Sequence, residues 1–581
     1  MLDLALVVFD LLTSQHIDQT GADTILGHHR SPGEVRMHPL EYIASLELDS
    51  QKTKGQKLDA QYLSQWLAEL ANQPYYTIDP LKIDAAAVVP VMSQAYAIRH
   101  EILAVEVNQS EIVVASAQPW HTGWEENLCH VNNKTIRRVV ANPVDIRHYT
   151  QEFYRLVHSI SGASNNKSVK SGSLNPVEQM LDLGHIQAPD ANDQPIVEIV
   201  DWLLQYAFEQ RASDIHIEPK GEQCHLRFRI DGVLHPIYQI PVQVGAAVTS
   251  RLKILARMNV AEKRKPQDGR LKTRHTDGSE VELRLSTLPT AQGEKLVMRV
   301  FDPQVLARSF KDLGFSKEDE RCWTQLSRQS GGIILVTGPT GSGKTTTLYS
   351  TLKLLATEKV NICTVEDPIE MVEPSFNQMQ VQQNIDLTFA TGLRALLRQD
   401  PDIIMVGEIR DLETAEMAIQ AALTGHLVLS TLHTNDAPSA ITRLVELGVP
   451  PYLIKSTVLG VMAQRLVRTL CARCKTSEPL DKRGWQALVS NRTQSVPARM
   501  FKSVGCTHCR DTGYYGRTGL YEIMPVSESL KSRLDSTPDL ARLRYQALKE
   551  GMHSLRLSGA RKVARGETTI AEVLRVTPSP D

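Results

Sequence analysis

Short apolar runs separated by helix-compatible stretches dominate the C-terminal half of the chain. Four of these runs have the length of buried strands: Ile333–Thr337, Ile362–Val365, Ile403–Val406 and Leu427–Thr431. Alternation of this kind is typical of a parallel sheet with helices on its faces. The pattern therefore predicts an α/β domain over residues 304–581.

A second pattern precedes this domain. Cys224–Ile230 and Val281–Leu285 alternate apolar with polar residues, as half-buried strands do, and Ile196–Phe208 is helix-like. We expect a small α+β domain over residues 181–303. The stretch before it is rich in Ser, Gly and Asn, which predicts a flexible linker at 161–180 after an N-terminal domain, 1–160, that shows no catalytic pattern.

Composition and charge restrict the class of protein. With 42% apolar and 22% charged residues, the chain has the composition of an ordinary globular protein. A net charge of −2 and a pI near 6.8 give no support for a surface that coats nucleic acid or anionic lipid. The start of the chain lacks a basic flank and a cleavage site, and no apolar run approaches the ~18 residues of a spanning helix. We therefore expect a cytoplasmic protein that meets the inner membrane only through partners.

A glycine-rich segment directly follows the first apolar run and matches G-x-x-x-x-G-K-[ST]. Glycines allow backbone N–H groups to turn toward phosphate oxygens, and the helix that follows adds its positive N-terminus. Lys344 would reach the β- and γ-phosphates of ATP, and Thr345 would ligate Mg²⁺. The alternative is a glycine-rich turn with a surface lysine, but the strand before and the helix after favour a phosphate loop. The predicted nucleotide-binding residues are Gly338, Pro339, Thr340, Gly341, Ser342, Gly343, Lys344, Thr345 and Thr346.

Acidic residues follow two further apolar runs. Glu408 ends the run that starts at Ile403, where a carboxylate can orient the Mg²⁺ water shell or the attacking water. Glu366, Asp367 and Glu370 cluster after another run, and hydrolysis needs a group that deprotonates water. Acids in solvated loops are the alternative for both sets, and the phosphate loop makes the catalytic interpretation stronger.

Two histidines, His426 and His433, bracket the apolar run Leu427–Thr431, which could lie beside the strand of the phosphate loop. A histidine there could sense the γ-phosphate or hydrogen-bond a catalytic carboxylate. Taken alone, each histidine is more often structural.

The cysteines fall into two groups. Four of the eight are scattered, whereas Cys471, Cys474, Cys506 and Cys509 form two C-x₂-C pairs. Four thiolates in two tight turns suit structural, tetrahedral Zn²⁺, although the interval 475–505 is longer than the ~15–20 residues of a compact zinc ribbon. A redox pair would need a strand–helix context that neither pair has. We predict a zinc element at about 465–520.

The phosphate loop, acidic cluster, strand-end acid and histidine segment, in this order, resemble the ATPases of type II secretion and type IV pilus assembly over about residues 190–575. The resemblance implies a RecA-like ATPase domain preceded by a PAS-like domain, and it implies ATP hydrolysis that powers pseudopilus or pilus assembly. It makes Glu370 the catalytic carboxylate, supported by Glu366 and Asp367, and Glu408 the Walker B acid. It also implies four arginines near the nucleotide: Arg284, Arg299, Arg394 and Arg398.

The family resemblance also implies partners. These are a homo-hexameric ring, an inner-membrane platform protein and, indirectly, pilin-like subunits, with ATP, Mg²⁺ and Zn²⁺ as cofactors. Residues 74–84 resemble the family's N-terminal domain, which docks onto a membrane adaptor or platform protein. Some relatives bind cyclic di-GMP there through repeats that begin with Arg-Leu-Gly, and residues 1–65 lack this signature, so we do not expect that ligand.

Two other functions are compatible with parts of the sequence. A RecA-fold motor for nucleic acid or DNA uptake would share the phosphate loop, but no basic stripe with interleaved aromatic residues is present. A nucleotide-regulated scaffold without hydrolysis would lack the acids, and Glu370 and Glu408 are both present. We therefore expect an ATPase and no nucleic-acid partner.

Overall fold

The structure is a computed structural model that forms two compact units, Met1–Val300 and Phe301–Asp581. It describes residues 2–578 except 29, 31–33, 35–36, 53–56, 81, 165–188, 276–277, 302–308, 490–495 and 536–537. Most of the predicted linker at 161–180 lies outside the described residues. Within the described ranges, no helix has both the length and the apolar character that crossing a membrane requires.

The first 164 residues combine helices with a three-stranded sheet. Strands β1 and β2 pair antiparallel, and β2 and β3 pair parallel. Aspartate N-caps begin α1, α2 and α4 by accepting from backbone N–H groups, which satisfies donors that a helix start leaves open. The elements are α1 Leu4–Thr13, α2 Gln19–Gly27, α3 Pro39–Ser45, α4 Ala60–Leu70, α5 Ala85–Val88, α6 Gln94–His100, β1 Ile102–Val107, β2 Glu111–Ser116, α7 Glu125–Asn132, β3 Thr135–Val140 and α8 Pro143–Ser164.

The rest of the first unit is built on a six-stranded sheet with the order β6-β5-β4-β9-β8-β7. Every second residue is buried along β5 and along β8 as far as Thr287, as the alternating sequence predicts, and the apolar face packs against α9 and α10. The elements are α9 Gln194–Glu209, β4 Asp214–Lys220, β5 Gln223–Ile230, β6 Val233–Pro241, α10 Val242–Leu255, β7 Gln267–Arg274, β8 Glu280–Thr290 and β9 Gly293–Phe301.

Helices α8 and α9 join the two parts of the first unit. Trp202 Nε1 donates to Glu152 Oε1 at 2.9 Å, and Ser159 Oγ donates to Glu198 Oε2 at 2.7 Å. The ring of Tyr238 packs against both hydrophobic cores. The N-terminal part therefore has a defined interface with the six-stranded sheet part.

The second unit is a seven-stranded sheet with the order β12-β11-β13-β14-β10-β15-β18, parallel except for the antiparallel pair β15–β18. The four apolar runs that predicted strands form β10, β11, β13 and β14, and most of their residues are buried because helices cover both faces. The parallel α/β architecture, and with it the RecA-like fold, is confirmed.

The helices and strands of the second unit follow one another along the chain. They are α11 Phe310–Leu313, α12 Lys317–Ser327, β10 Gly332–Thr337, α13 Lys344–Leu355, β11 Ile362–Glu366, β12 Asn377–Gln380, α14 Phe389–Leu396, β13 Ile403–Val406, α15 Leu412–Leu423, β14 Leu427–Leu432, α16 Ala437–Glu446, α17 Pro451–Thr457, β15 Val458–Leu470, β16 Thr476–Pro479, α18 Lys482–Val489, β17 Arg499–Lys502, β18 Tyr514–Pro525, α19 Glu528–Lys531, α20 Leu540–Lys549, α21 Leu555–Ala564 and α22 Ile570–Val576.

Candidate nucleotide site and cysteine cluster

The phosphate loop connects β10 to α13 and depends on three glycines. Gly338, Gly341 and Gly343 have φ angles of +150°, +78° and +86°, a region that side chains other than glycine disfavour. A Cβ on Gly338 would lie 2.6 Å from the carbonyl oxygen of Gln464, and one on Gly343 would lie 2.9 Å from the Gln464 Nε2. The loop therefore packs tightly on β15, and its backbone is free to curve around an anion.

Lys344 is the first residue of α13, and its Nζ lies across the loop. It donates to the carbonyl oxygens of Gly338 at 2.8 Å and Pro339 at 3.2 Å. Burial lowers the pKa of this ammonium, and the carboxylates of Glu408 and Glu370 act in the opposite direction. The positive N-terminus of α13 and the ammonium share one loop, which is an arrangement that suits a polyphosphate. Thr345 and Thr346 occupy the first turn of the same helix.

Glu408 lies two residues beyond β13, at the edge of the sheet where the phosphate loop begins. His433, directly after β14, donates from Nε2 to Glu408 Oε2 at 3.1 Å. Arg410 forms an ion pair with the other carboxylate oxygen. β14 pairs in parallel with both β10 and β13, so the loop, the acid and the histidine converge.

Glu366 ends β11 and is held by three donors. Its side chain receives hydrogen bonds from the hydroxyls of Tyr349 and Thr364, each at 2.7 Å, and from Gln378 Nε2 at 3.2 Å. The residue is 3% exposed, and burial raises the pKa of its carboxyl. Since Tyr349 belongs to α13, Glu366 joins the helix of the phosphate loop to β11.

Glu370 is half-buried in the loop after β11. Burial is the main cause of the shifted pKa values of Lys344, Tyr349 and Glu366, and the charge of Glu370 contributes to each of them. Asp367 is exposed and contributes to the raised pKa of Arg410, after the hydrogen bond and charge of Glu408. The structure thus brings the acidic cluster, Glu408 and Lys344 within electrostatic range of one another.

His426 precedes β14, whereas His433 follows it. The Nδ1 of His426 lies 2.9 Å from the Ala421 carbonyl oxygen and 3.0 Å from Thr424 Oγ1, at the end of α15. A six-residue strand separates the two histidines by roughly 20 Å. The structure therefore brings His433 to the phosphate loop of its own chain and leaves His426 at the opposite edge of the sheet.

Of the four predicted arginines, two lie away from the phosphate loop of their own unit and two belong to the first unit. Arg394 on α14 is 3.6 Å from Glu413 of α15. Arg398 is exposed, and the carbonyl oxygen of the next residue, Gln399, accepts from Asn361 Nδ2 at 2.8 Å. Asn361 stands just before β11, so Arg398 lies at the edge of the sheet opposite the phosphate loop. Arg284 on β8 and Arg299 on β9 belong to the first unit.

Four residues of the site were not predicted from the sequence. Tyr349 and Gln378 hold Glu366, Gln464 packs on the phosphate loop, and Arg410 pairs with Glu408. Only Arg410 has a local signal, because it stands two residues after its partner. Tyr349 on α13 and Gln378 on β12 reach Glu366 from other elements, and Gln464 reaches the phosphate loop from β15.

The four paired cysteines converge in a separate cluster, with all sulfur atoms within 4.8 Å of one another. The distances Cys471–Cys506, Cys474–Cys509 and Cys506–Cys509 are 3.7, 3.7 and 3.6 Å. Zn–S bonds of about 2.3 Å in a tetrahedron would give sulfur–sulfur edges of about 3.8 Å, so the donor set fits a metal ion. The long interval between the pairs contains β16 and β17, which pair antiparallel, and α18, whose buried apolar residues join the main core of the second unit.

Comparison with known proteins identifies the family. Residues 189–575 match the family model described as type II/IV secretion system protein, and residues 71–160 match the MshEN domain. The type IV pilus assembly ATPase TfpB of Acinetobacter baylyi is 55% identical over 98% of this chain and 97% of its own. The type IV pilus assembly ATPase PilB of Myxococcus xanthus is 40% identical over 85% and 87%. The type II secretion system protein E of Pseudomonas aeruginosa is 47% identical over 66% and 76%.

These matches confirm the predicted resemblance and the predicted class of ATP-hydrolysing secretion or pilus-assembly protein. They do not favour a nucleic-acid motor. With the phosphate loop, the acids and the sheet order in place, the chain belongs to the type II/IV secretion system protein family.

Proposed function

We propose that this chain hydrolyses ATP with Mg²⁺ to power the assembly of a type IV pilus. The observation that carries the activity is the convergence of Lys344, Glu408, His433 and Glu370 at one edge of the sheet. The pilus is favoured over a secretion pseudopilus because similarity to a pilus assembly ATPase extends over 98% of the chain, including its N-terminal part.

The geometry supports a distinct role for each group. The loop N–H groups and Lys344 would bind the β- and γ-phosphates, and the hydroxyl of Thr345 would ligate Mg²⁺, which would neutralise phosphate charge. Glu370 serves as general base for the attacking water, and Glu408 orients the water shell. His433 positions Glu408 through its hydrogen bond, and Glu366 joins β11 to the helix of the phosphate loop through Tyr349. Asp367 adds negative charge beside Arg410.

The other predicted groups would act on the nucleotide either from a neighbouring chain or from the first unit of the same chain. His426, Arg394 and Arg398 lie away from the phosphate loop of their own chain, so a role there would require a neighbouring chain, which a homo-hexameric ring would supply. Arg284 and Arg299 lie in the first unit and would arrive by domain closure. We keep as a proposal the division into domains 1–160, 181–303 and 304–581 with a linker at 161–180, although helix α8 extends into the first four residues of that linker.

The two arginines of the first unit provide a test of the motor. Arg299 donates from Nε to Asp214 at 3.1 Å, yet its side chain is 58% exposed, so it can approach an anion. Arginines delivered to a γ-phosphate stabilise the charge that develops and exclude water, an effect worth roughly 10³-fold in turnover. We expect the double variant Arg284→Ala/Arg299→Ala to lose Mg²⁺-dependent ATP turnover by about this factor while it retains nucleotide binding.

The matched control is Arg274→Ala, because Arg274 is an exposed arginine of the same sheet that pairs with Glu280. Arg274→Ala should hydrolyse ATP at the rate of the unaltered chain. The turnover per chain of the unaltered protein should rise with protein concentration, because rings assemble. Near-normal turnover in the double variant, or full activity in a dilute monomer, would contradict the proposed mechanism.

We further propose that the cysteine cluster holds structural Zn²⁺. Four thiolates complete a tetrahedron and leave no position open for a substrate. Purified, reduced protein should contain about one Zn²⁺ per chain by elemental analysis. Cys471→Ser should lose the metal and unfold at lower temperature, whereas Cys322→Ser, outside the cluster, should keep it. Protein without zinc would exclude the site.

The proposed partners are an inner-membrane platform protein, an adaptor docked on the N-terminal part and, indirectly, pilin-like subunits. The chain would thus be cytoplasmic and attached to the inner membrane through these contacts. The absence of a nucleic-acid partner stays a prediction. So does the absence of cyclic di-GMP binding, and the MshEN match at residues 71–160 argues against this second expectation.

A further inference from the structure

Arg465 is a buried cation directly behind the phosphate loop. It lies on β15, is 5% exposed, and all three groups of its guanidinium are engaged. Nη1 donates to the Gln464 carbonyl oxygen at 2.9 Å, and Nε donates to the Val576 carbonyl oxygen at 3.2 Å. Nη2 donates to the carbonyl oxygen of Asn435 at 2.8 Å and to its Oδ1 at 3.3 Å.

The first contact places the guanidinium against the start of the loop. A Cβ built on Gly338 would lie 2.9 Å from Arg465 Nη1. On its other side, the carbonyl oxygen of Gly338 accepts from Lys344 Nζ at 2.8 Å. The turn at Gly338 therefore lies between two cations. Arg465 contributes to the lowered pKa of Lys344, after burial and the opposing effect of Glu408.

The second contact reaches the segment that carries His433. Asn435 stands two residues after His433, whose ring donates to Glu408. Between them, the Thr434 N–H donates to Thr337 Oγ1 at 2.8 Å, which ties this segment to the last residue of β10. Arg465 thus contacts both sides of the site, the loop that holds phosphate and the segment that positions the Walker B acid.

We propose that Arg465 is a positioning residue for ATP hydrolysis, one that fixes the phosphate loop and the segment 433–436 relative to each other. The third contact, to the end of α22, anchors the guanidinium from behind. This inference rests on the proposed ATPase function and assigns it a residue that touches neither the phosphates nor the attacking water.

The chemistry of the side chain explains why an arginine stands here. Its four hydrogen bonds all go to neutral oxygens in fixed directions, and a planar guanidinium can serve three such partner residues at once. A lysine would keep the positive charge but would lose the fixed fork. Positioning and charge can therefore be separated by the variant Arg465→Lys.

The test compares turnover with ADP binding and thermal unfolding in the full-length protein. We expect Arg465→Lys to lower kcat about 10- to 100-fold, the scale for misplaced catalytic groups, with ADP affinity close to that of the unaltered chain and an unfolding midpoint no lower than that of Arg468→Lys. Asn435→Ala, which removes only the Oδ1 contact, should lower kcat to a smaller extent.

The matched control is Arg468→Lys. Arg468 lies three residues further along β15, where it pairs with Glu572 of α22 at 2.6 Å and stacks over Tyr514. It anchors the same helix, so its substitution should lower the unfolding midpoint without a comparable loss of kcat.

Each outcome decides the proposal. A normal kcat in Arg465→Lys contradicts the positioning role. The positioning role is also contradicted if Arg465→Lys loses kcat, ADP affinity and stability in parallel while Asn435→Ala keeps a normal kcat. That combination would indicate a purely structural residue. Absence of hydrolysis by the unaltered chain would instead contradict the proposed function and this inference with it.

Discussion

Replacing Lys344 by alanine is expected to abolish ATP hydrolysis. The ammonium lies at the start of α13 and is partly desolvated, so its attraction for phosphate is screened less than that of a surface lysine. Without it, charge that develops on the γ-phosphate loses its main fixed cation within the loop. We expect turnover to fall by at least ~10³-fold, the upper range for loss of one such group.

Lys353→Ala is the control for this variant, because Lys353 belongs to the same helix and pairs with Glu373 at 3.3 Å on the surface. It should hydrolyse ATP normally. In cells, deletion of the gene should remove surface pili and leave type II secretion intact, and a chain with Lys344→Ala should fail to restore the pili. A deletion that removes secretion and leaves the pili would assign the motor to the secretion machine. Near-normal turnover in purified Lys344→Ala would exclude this loop as the catalytic site.

Replacing Glu370 by glutamine is expected to preserve ATP binding and slow hydrolysis by roughly 10²-fold or more, the scale for losing a general base. The amide has the shape of the carboxylate but cannot accept the proton of the attacking water. Single-turnover measurement with saturating ATP separates this step from binding and product release. Glu373→Gln alters another acid of the same loop, one that pairs with Lys353, and should leave the chemical step unchanged.

A normal rate in Glu370→Gln would exclude Glu370 as the base. Glu366 is the next acid by sequence, but its two carboxylate oxygens already accept from Tyr349, Thr364 and Gln378. A carboxylate that is buried and occupied in this way holds structure more readily than it accepts a proton from water. In that event, a carboxylate other than Glu370 and Glu366 would have to act as the general base. Glu366→Gln would then be measured for thermal stability as well as for the rate of hydrolysis.

The sequence by itself determined the elements and the chemistry of single segments. Apolar runs marked β10, β11, β13 and β14 because strands covered by helices on both faces need apolar residues throughout. The phosphate loop could be predicted because the positive φ at positions such as Gly343 requires glycine. The metal site could be predicted because four thiolate ligands require cysteines such as Cys471 in two pairs. These are local requirements, and a local pattern records them.

The tertiary structure decided which groups meet. His426 and His433 look equivalent along the chain, yet they lie at opposite ends of β14, and the parallel pairing of β14 with β10 and β13 brings only His433 to Glu408. The same sheet order leaves Arg398 at the far edge and brings Arg465 from β15 against Gly338. Contacts between elements depend on strand order and direction, which long-range packing selects and no local pattern encodes.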